Sequence, residues 1–338
     1  MKADYCVFIG RFQPLTVAHE AMIRRAKEEA ENVIIILGSD RTSPSLKNPF
    51  TTDERKKMIL SVFPDVAILP VKDSAYNFNA WIAEVHKKVS AVTTPNSKIK
   101  MIGHFKDDSS YYLKYFPQWE FINEKSIYNL SATDVRNELF NGKGHISTKW
   151  TTFVSVSVEK FINKWMEEEK TKFDNFVAEY DFLKKYHKSW ESAPYPPTFV
   201  TTDTLVLSHG HILLIKRGRN PGKGLYALPG GFLDKTETIE QGCIRELKEE
   251  TKIDVASPIL KSSITQVHVF DHPHRDPRGR TITHAHLIEL SLKEMPNVKA
   301  ADDAAEVIWM PIGELDNIED QFFGDHIQII KFLLGRSM

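Results

Sequence analysis

Along the first half of the chain, short apolar runs alternate with stretches of helical periodicity. Tyr5 to Ile9 is a continuous apolar run, followed by a turn-rich stretch and a helical pattern from His19 to Ala30. A second run fills Val33 to Leu37. Strand, helix and strand at this spacing predict a βαβ unit on a parallel sheet. Further runs at Val66 to Val71 and Lys100 to Ile102 are separated by helical patterns over Thr52 to Phe63 and Ala80 to Val89. That alternation predicts an open α/β sheet with covering helices. Amphipathic stretches around Phe153 to Trp165 and Lys172 to Tyr186 are expected to close it.

The pattern changes near Glu191, where Ser192-Ala193-Pro194-Tyr195-Pro196-Pro197 is stiff and proline-rich. Beyond it, Thr198 to Ser208 and Ile212 to Lys216 read as strands hinged on Ser208-His209-Gly210-His211. One strong helix is predicted over Thr238 to Thr251. Strands follow at Ile264 to Phe270, Thr281 to Leu292 and Val307 to Met310, and a last helix at Asp325 to Leu334. Two domains are expected: an α/β domain over residues 1–190 and an α+β domain over residues 191–338.

Composition narrows the function classes. With 41% hydrophobic and 26% charged residues the chain matches a soluble globular protein. No apolar run approaches the roughly 18 residues of a membrane span, and Met1 to Ile9 lacks the pattern of a signal peptide. Two cysteines, Cys6 and Cys243, far apart, do not suggest a disulfide scaffold. A reduced, cytoplasmic setting is the expectation, with no membrane partner. Lys and Arg number 44 against 45 Asp and Glu, a balance that argues against a nucleic-acid-binding surface. Small anionic ligands need only a few placed cations, and a homo-oligomer is compatible with all of this.

Glu246, Glu249 and Glu250 are spaced i, i+3, i+4, so a helix puts three carboxylates on one stripe. Like charges there cost about 0.2–0.5 kcal/mol per pair, a cost that a hard divalent cation turns into a site. Alone, the triplet reads as a solvated acidic face supported by Arg245 and Lys248. Its surroundings reverse that reading: Pro229-Gly230-Gly231, then Glu237, Arg245-Glu246-Leu247 and Glu249-Glu250. From Gly231 to Ile253 the segment resembles the Nudix box, G-x5-E-x7-R-E-U-x-E-E-x-G-U, where U is a bulky aliphatic residue. It departs at one fixed position, where Lys252 replaces glycine. A helix-terminating glycine often supplies a left-handed residue, and lysine there costs on the order of 1 kcal/mol.

The Nudix resemblance implies hydrolysis of a nucleoside diphosphate linked to another group. It implies Mg²⁺, with Mn²⁺ as the alternative, held by Gly231, Glu246, Glu249 and Glu250. Glu249 is also the candidate general base, and Arg245 is expected to orient a glutamate. Arg275-Asp276-Pro277-Arg278-Gly279-Arg280 resembles a segment of the ADP-ribose pyrophosphatases, as does Asp302-Asp303-Ala304-Ala305-Glu306 with Trp309. Arg275, Arg278 and Arg280 are thereby implied to bind ADP-ribose, the alternative being a turn-rich surface loop. His268, His272, His274, His284 and His286 form no recognised tetrahedral zinc set with cysteine. His284 and His286 are expected to share one face of a strand.

Gly10-Arg11-Phe12-Gln13-Pro14 follows the first strand, at the carboxyl end where α/β sheets bind ligands. Thr16-Val17-Ala18-His19 then enters a helix whose free amides favour phosphate. The combination resembles the nucleotidyltransferase signature (H/T)-x-G-H and the GRFQP run of archaeal-type nicotinamide-mononucleotide adenylyltransferases, with Ala18 in place of glycine. Ser131-Ala132-Thr133-Asp134-Val135-Arg136 resembles the family's S-x-T-x-x-R motif; its alternative is an ordinary helix capped by Ser131. The resemblance implies ATP contacts at Gly10, Phe12, Gln13, Thr16, Gly103, Lys106, Ser131 and Thr133, and catalytic roles for Arg11, His19 and Arg136. It further implies nicotinamide contacts at Asn79 and Trp81, although Trp81 also fits a core position.

The order of the two halves resembles a bifunctional family that joins the adenylyltransferase to a Nudix ADP-ribose pyrophosphatase. ATP, nicotinamide mononucleotide and ADP-ribose are the implied small-molecule partners. The rivals are a Nudix domain that senses ADP-ribose or NAD without cleaving it, and an N-terminal domain that takes another acceptor such as nicotinate mononucleotide.

Overall fold

A computed structural model describes residues 2–105, 108–124, 131–141 and 149–335. The chain divides into two compact units, Met1–Tyr180 and Asp181–Met338. Among the described residues no helix is long and apolar enough to cross a membrane.

In the first unit, strands β1 (Ala3–Gly10), β2 (Ala30–Leu37), β3 (Ala67–Pro70), β4 (Ile99–Gly103) and β5 (Glu120–Asn123) form a parallel sheet in the order β3-β2-β1-β4-β5. The helices are α1 (Val17–Glu29), α2 (Thr52–Val62), α3 (Phe78–Ser90), α4 (Ala132–Phe140), α5 (Val156–Glu168) and α6 (Lys170–Ser189), the last running past Tyr180 into the residues of the second unit. Cys6 and Phe8 of β1 enter one core with Ile23, Val135 and Trp165. Val7 and Ile9 enter the other with Val85, Met101 and Phe116. Burial on both faces is why the strand reads as an unbroken apolar run. The chain adds β2 and β3 on one side of β1 and β4 and β5 on the other, so the topological switch point lies between β1 and β4 at the carboxyl ends of the strands. The short strand β5 escaped the sequence pattern because an edge strand of four half-exposed residues carries little periodicity.

The second unit is a mixed sheet that includes β6 (Thr198–Ser208), β7 (His211–Arg217), β8 (Tyr226–Ala227), β9 (Gly230–Phe232), β10 (Ile264–Phe270), β11 (Arg280–Glu289) and β12 (Ala304–Pro311). The main path is β10-β11-β6-β7-β12, with β8 on β7 and β9 on β6. Helices α7 (Ile239–Thr251), α8 (Ser257–Ser262) and α9 (His326–Leu333) complete it. Ile244 and Leu247 of α7 pack against Val206, Leu213 and Ile288 of the sheet. Strand β11 stops at Glu289, short of the expected Leu292. The apolar pattern runs on because Leu290 and Leu292 still pack in the core after the ladder ends.

Candidate functional sites

The β1–α1 loop and the start of α4 converge at the switch point of the first sheet. The β1–α1 loop begins at Gly10, where an added Cβ would lie 3.0 Å from the Phe12 ring. Phe12 itself sits at φ 52, in the left-handed region, with its ring 5.4 Å from Phe8 and 4.9 Å from His19. The Gln13 side chain faces inward too. Its amide nitrogen donates to the Phe50 carbonyl at 2.8 Å, and the Phe50 N–H donates to its oxygen at 3.0 Å. Thr16 caps α1 by accepting from the His19 N–H, while its own N–H donates to His19 Nδ1 at 3.1 Å. Phe12, Gln13 and Thr16 therefore back the site with buried side chains.

Arg136 projects from α4 to the same place. Its Nη1 donates to the Gln13 carbonyl at 2.7 Å and its Nη2 to Thr133 Oγ1 at 3.0 Å. Burial, followed by the charges of Arg11 and Arg136, pushes the His19 imidazole down to about 4. Burial and the Arg11 charge push Arg136 down to about 10. Arg11 and Arg136 thus set two cations beside a neutral His19, suited to an anion with several phosphates. Ser131 spends its hydroxyl in a capping box with Asp134 at the start of α4. Gly103 is packed under Leu113, which a Cβ would meet at 3.0 Å. Lys106 lies outside the described residues.

Trp81 is half-buried. It stacks on Phe78 at 5.9 Å and 16°, and meets Tyr112 edge-on at 5.7 Å. Asn79 is exposed on the first turn of α3. Trp81 thus packs against the aromatic core around Tyr112 and Phe116.

In the second unit the carboxylate stripe lies against the β9 strand. The Gly230 N–H donates to Glu250 at 2.9 Å, and any side chain at Gly231 would collide with the Glu246 carboxylate. Arg245 gathers the remaining acids. It donates to Glu246 and Glu249, each at 2.9 Å, and to both oxygens of Glu237. Burial pushes the Glu250 carboxyl up to about 8 and raises Glu246 as well. The helix ends at Lys252 with φ 44 and ψ 34, so lysine adopts the left-handed conformation that the glycine of the motif would supply.

Beside this stripe a cleft encloses about 390 Å³, part of it open to solvent. Thr201, Asp203, Arg217, Arg275, Arg278 and His326 line it. Arg275 is buried and paired with Asp325 at 3.0 Å and Asp203 at 3.4 Å. Arg278 is held by Asp276 at 2.7 Å and lies over the Phe232 ring. Arg280 is elsewhere, donating to the Asp271 carbonyl. Two of the three expected arginines reach the cleft. His284 and His286 share a strand face, as expected, and His286 is buried there.

Two family models match the chain, a cytidylyltransferase-like domain over residues 7–138 and a NUDIX domain over residues 198–331. The nicotinamide/nicotinic acid mononucleotide adenylyltransferase of Acinetobacter baylyi is 43% identical over 42% of this chain and 78% of its own. The ADP-ribose pyrophosphatase of Methanocaldococcus jannaschii is 39% identical over 44% of this chain and 77% of its own. The crystal structure of a bifunctional NMN adenylyltransferase/ADP ribose pyrophosphatase from Francisella tularensis spans both halves. It is 38% identical, with a TM-score of 0.92, and covers 98% of this chain and 99% of that one. The chain belongs to this bifunctional adenylyltransferase–pyrophosphatase family.

For a member of this bifunctional family the Nudix carboxylates must suit a divalent ion. The donors are all oxygen, which fits a hard cation, and burial has raised two of the acids, a penalty that a cation would relieve. The Francisella enzyme was also crystallised with AMP and a Mn ion. Among the described residues no three acidic, histidine or cysteine side chains are drawn together into a closed ligand set. Arg245 holds Glu246 and Glu249, and the Gly230 amide holds Glu250. Sequence reasoning also missed Arg217, Asp203 and His326 in the Nudix cleft, and Arg55 beneath the adenylyltransferase site. Each stands outside a motif and is brought to its site by pairing of distant strands.

Proposed function

We propose that the first unit transfers the adenylyl group of ATP to nicotinamide mononucleotide, giving NAD and pyrophosphate, and that the second hydrolyses ADP-ribose to AMP and ribose 5-phosphate with Mg²⁺ or Mn²⁺. The observation that carries this reading is the end-to-end likeness to the Francisella bifunctional enzyme. A cytoplasmic setting goes with it, in keeping with two free, buried cysteines.

In the first reaction a phosphate oxygen of the mononucleotide attacks the α-phosphorus of ATP. The bond to the bridging oxygen breaks and pyrophosphate leaves. No protein nucleophile is required, so catalysis is positioning and charge stabilisation. Arg11 and Arg136 supply fixed positive charge. His19 stays neutral, and because Nδ1 accepts from Thr16, the proton resides on Nε2 as a directed donor. Gly10, Phe12, Gln13, Thr16 and Gly103 shape the ATP side of the site, with hydroxyls from Ser131 and Thr133 at the α4 start. Trp81 and Asn79 would receive the nicotinamide ring.

In the second reaction water attacks one phosphorus of the pyrophosphate, and the bond to the other phosphate breaks. Gly231, Glu246, Glu249 and Glu250 would hold the divalent ion, which supplies charge neutralisation and a more acidic water. Glu249 would accept the water proton; its side chain is 46% exposed against 13% for Glu246, which leaves it open to solvent. Arg278 faces the substrate cleft, and Arg275 sets its floor.

Two assays test the reading. Dinucleotide formation from ATP is measured with nicotinamide and nicotinate mononucleotides separately; the Acinetobacter relative's name makes the second acceptor a specific alternative. Release of AMP and ribose 5-phosphate from ADP-ribose is measured with Mg²⁺. Turnover that Glu249→Gln abolishes supports hydrolysis, whereas tight binding without turnover would favour a sensor.

A further inference from the structure

Arg55 lies in α2, outside every motif, yet only 1% of it is exposed. Its guanidinium makes five hydrogen bonds. Nη1 donates to the carbonyls of Arg11 at 2.8 Å and Gly38 at 2.6 Å. Nη2 donates to the Ser39 carbonyl at 3.0 Å and to Thr52 Oγ1 at 3.2 Å, and Nε to the Thr51 carbonyl at 3.3 Å. Arg11 begins the loop after β1, and Gly38 and Ser39 begin the loop after β2. One side chain therefore stitches together the carboxyl ends of the two strands beneath Arg11 and Arg136.

The stitch is braced from its far side. Asp73 accepts from the Ser39 N–H at 3.0 Å and from its hydroxyl at 2.5 Å, which fixes Ser39 in a left-handed conformation at φ 54. Asp40 accepts from Thr52 Oγ1 at 2.8 Å, and so orients the hydroxyl that receives Arg55. The planar fork of arginine serves four carbonyls and a hydroxyl at once, which an ammonium on a flexible stem does not reproduce. Because the Arg11 carbonyl is one of them, the direction in which the Arg11 side chain leaves the loop depends on Arg55.

We propose that Arg55 is a positioning residue for adenylyl transfer, acting through Arg11 to fix the distance between its guanidinium and the reacting phosphates. The inference rests on the adenylyltransferase reading given above. A misplacement of about 1 Å costs on the order of 100-fold in rate, so the effect belongs in kcat. Burial pushes Arg55 down to about 10, so it keeps its charge through the neutral range.

The test compares full-length wild type, Arg55→Lys and Arg55→Met by steady-state adenylyl transfer, pyrophosphate binding and thermal melting. A wild type without adenylyl transfer to either mononucleotide sinks the underlying reading. With wild type active, the expected result is a fall in kcat of about 10- to 100-fold for a folded Arg55→Lys, with KM for ATP changed much less and pyrophosphate bound more weakly. ADP-ribose hydrolysis by the same samples normalises for intact chain, and the melting transition of the first unit reports whether that unit is folded. Should Arg55→Lys melt earlier yet keep kcat and pyrophosphate affinity, Arg55 is only a structural stitch and the proposal fails. If both variants fail to fold, guanidinium added during refolding of Arg55→Ala replaces the fork. Recovery of fold without recovery of kcat overturns the proposal, and recovery of both upholds it.

Discussion

The backbone N–H of Thr16 donates to Nδ1 of His19 at 3.1 Å, so a helix cap also chooses the tautomer of an imidazole. The Thr16 hydroxyl lies 3.0 Å from the same nitrogen. The two contacts have separable consequences. Thr16→Ala removes the hydroxyl cap and is expected to lower stability by about 1 kcal/mol, while the backbone donor, and with it the tautomer, stays. Its kcat for adenylyl transfer should fall less than about tenfold. His19→Asn removes the Nε2 donor and should lower kcat by roughly 100-fold or more. Steady-state kinetics of the two variants, set beside their melting temperatures, check the distinction.

The same histidine carries a pH signature. Its imidazole is pushed from 6.5 to about 4 by burial and by Arg11 and Arg136. Between these values the unfolded chain binds the proton that the folded chain refuses, so stability rises with pH across the window. The contribution is fully present above about 6.5 and is lost as pH falls towards 4. Its size is about 2 kcal/mol once the partial exposure of the ring is discounted. The melting temperature of wild type minus that of His19→Asn should decline from pH 6.5 to 4. A flat difference would show that His19 titrates normally.

The three arginines of the 275–280 segment should separate cleanly. Arg275 is 5% exposed and shared between Asp203 and Asp325, each 8% exposed. Removing one partner of such a buried pair costs about 3–5 kcal/mol, so Asp325→Ala should lower the melting temperature of the second unit by roughly 10 °C. Arg278→Ala strips the partner from the buried Asp276 and should raise KM for ADP-ribose, with a smaller loss of stability than Asp325→Ala because Arg278 is itself 18% exposed. Arg280→Ala, outside the cleft, should leave both nearly unchanged. Calorimetry and initial rates on the three variants decide the order.

Lys252 supplies a small stability test. At φ 44 it occupies a conformation that strains any residue with a Cβ. Lys252→Gly removes that strain, but gives back part of the gain through the freer unfolded chain. The net expectation is a stabilisation of about 0.5 kcal/mol, read as a rise of a degree or two in melting temperature with hydrolysis unchanged. A loss of stability would mean that lysine contacts outweigh the strain.

The motifs announced both sites because their chemistry is local. Glu246, Glu249 and Glu250 sit on one helix, and Thr16 and His19 on one turn, so spacing alone brings them together. The parallel sheet was legible from β1 and β2, which are apolar on both faces. Arg55 was not legible, since a lone arginine in an amphipathic helix reads as solvent-facing. Its five acceptors lie in the loop after β1, the loop after β2 and the start of its own helix, and only the pairing of β1 with β2 brings the first two together. Asp203, Asp325 and Arg275 are likewise scattered along the chain, and they meet only because β6 pairs with β11 and the chain before α9 folds back across them.

Divalent ion should stabilise the second unit by relieving its buried acids. At an ion concentration of about 100 Kd the gain is about 2.7 kcal/mol, and a chelator should remove it. Glu250→Gln provides the decisive contrast. Its amide oxygen can still accept from the Gly230 N–H, as Glu250 does at 2.9 Å. It also no longer carries a carboxyl that burial pushes up to about 8. The metal-free variant should therefore melt at or above wild type, while the increment on adding Mg²⁺ or Mn²⁺ should nearly vanish along with ADP-ribose hydrolysis. Thermal melts with and without ion, on both proteins, measure the two effects separately. An undiminished increment in Glu250→Gln would place the ion on other residues.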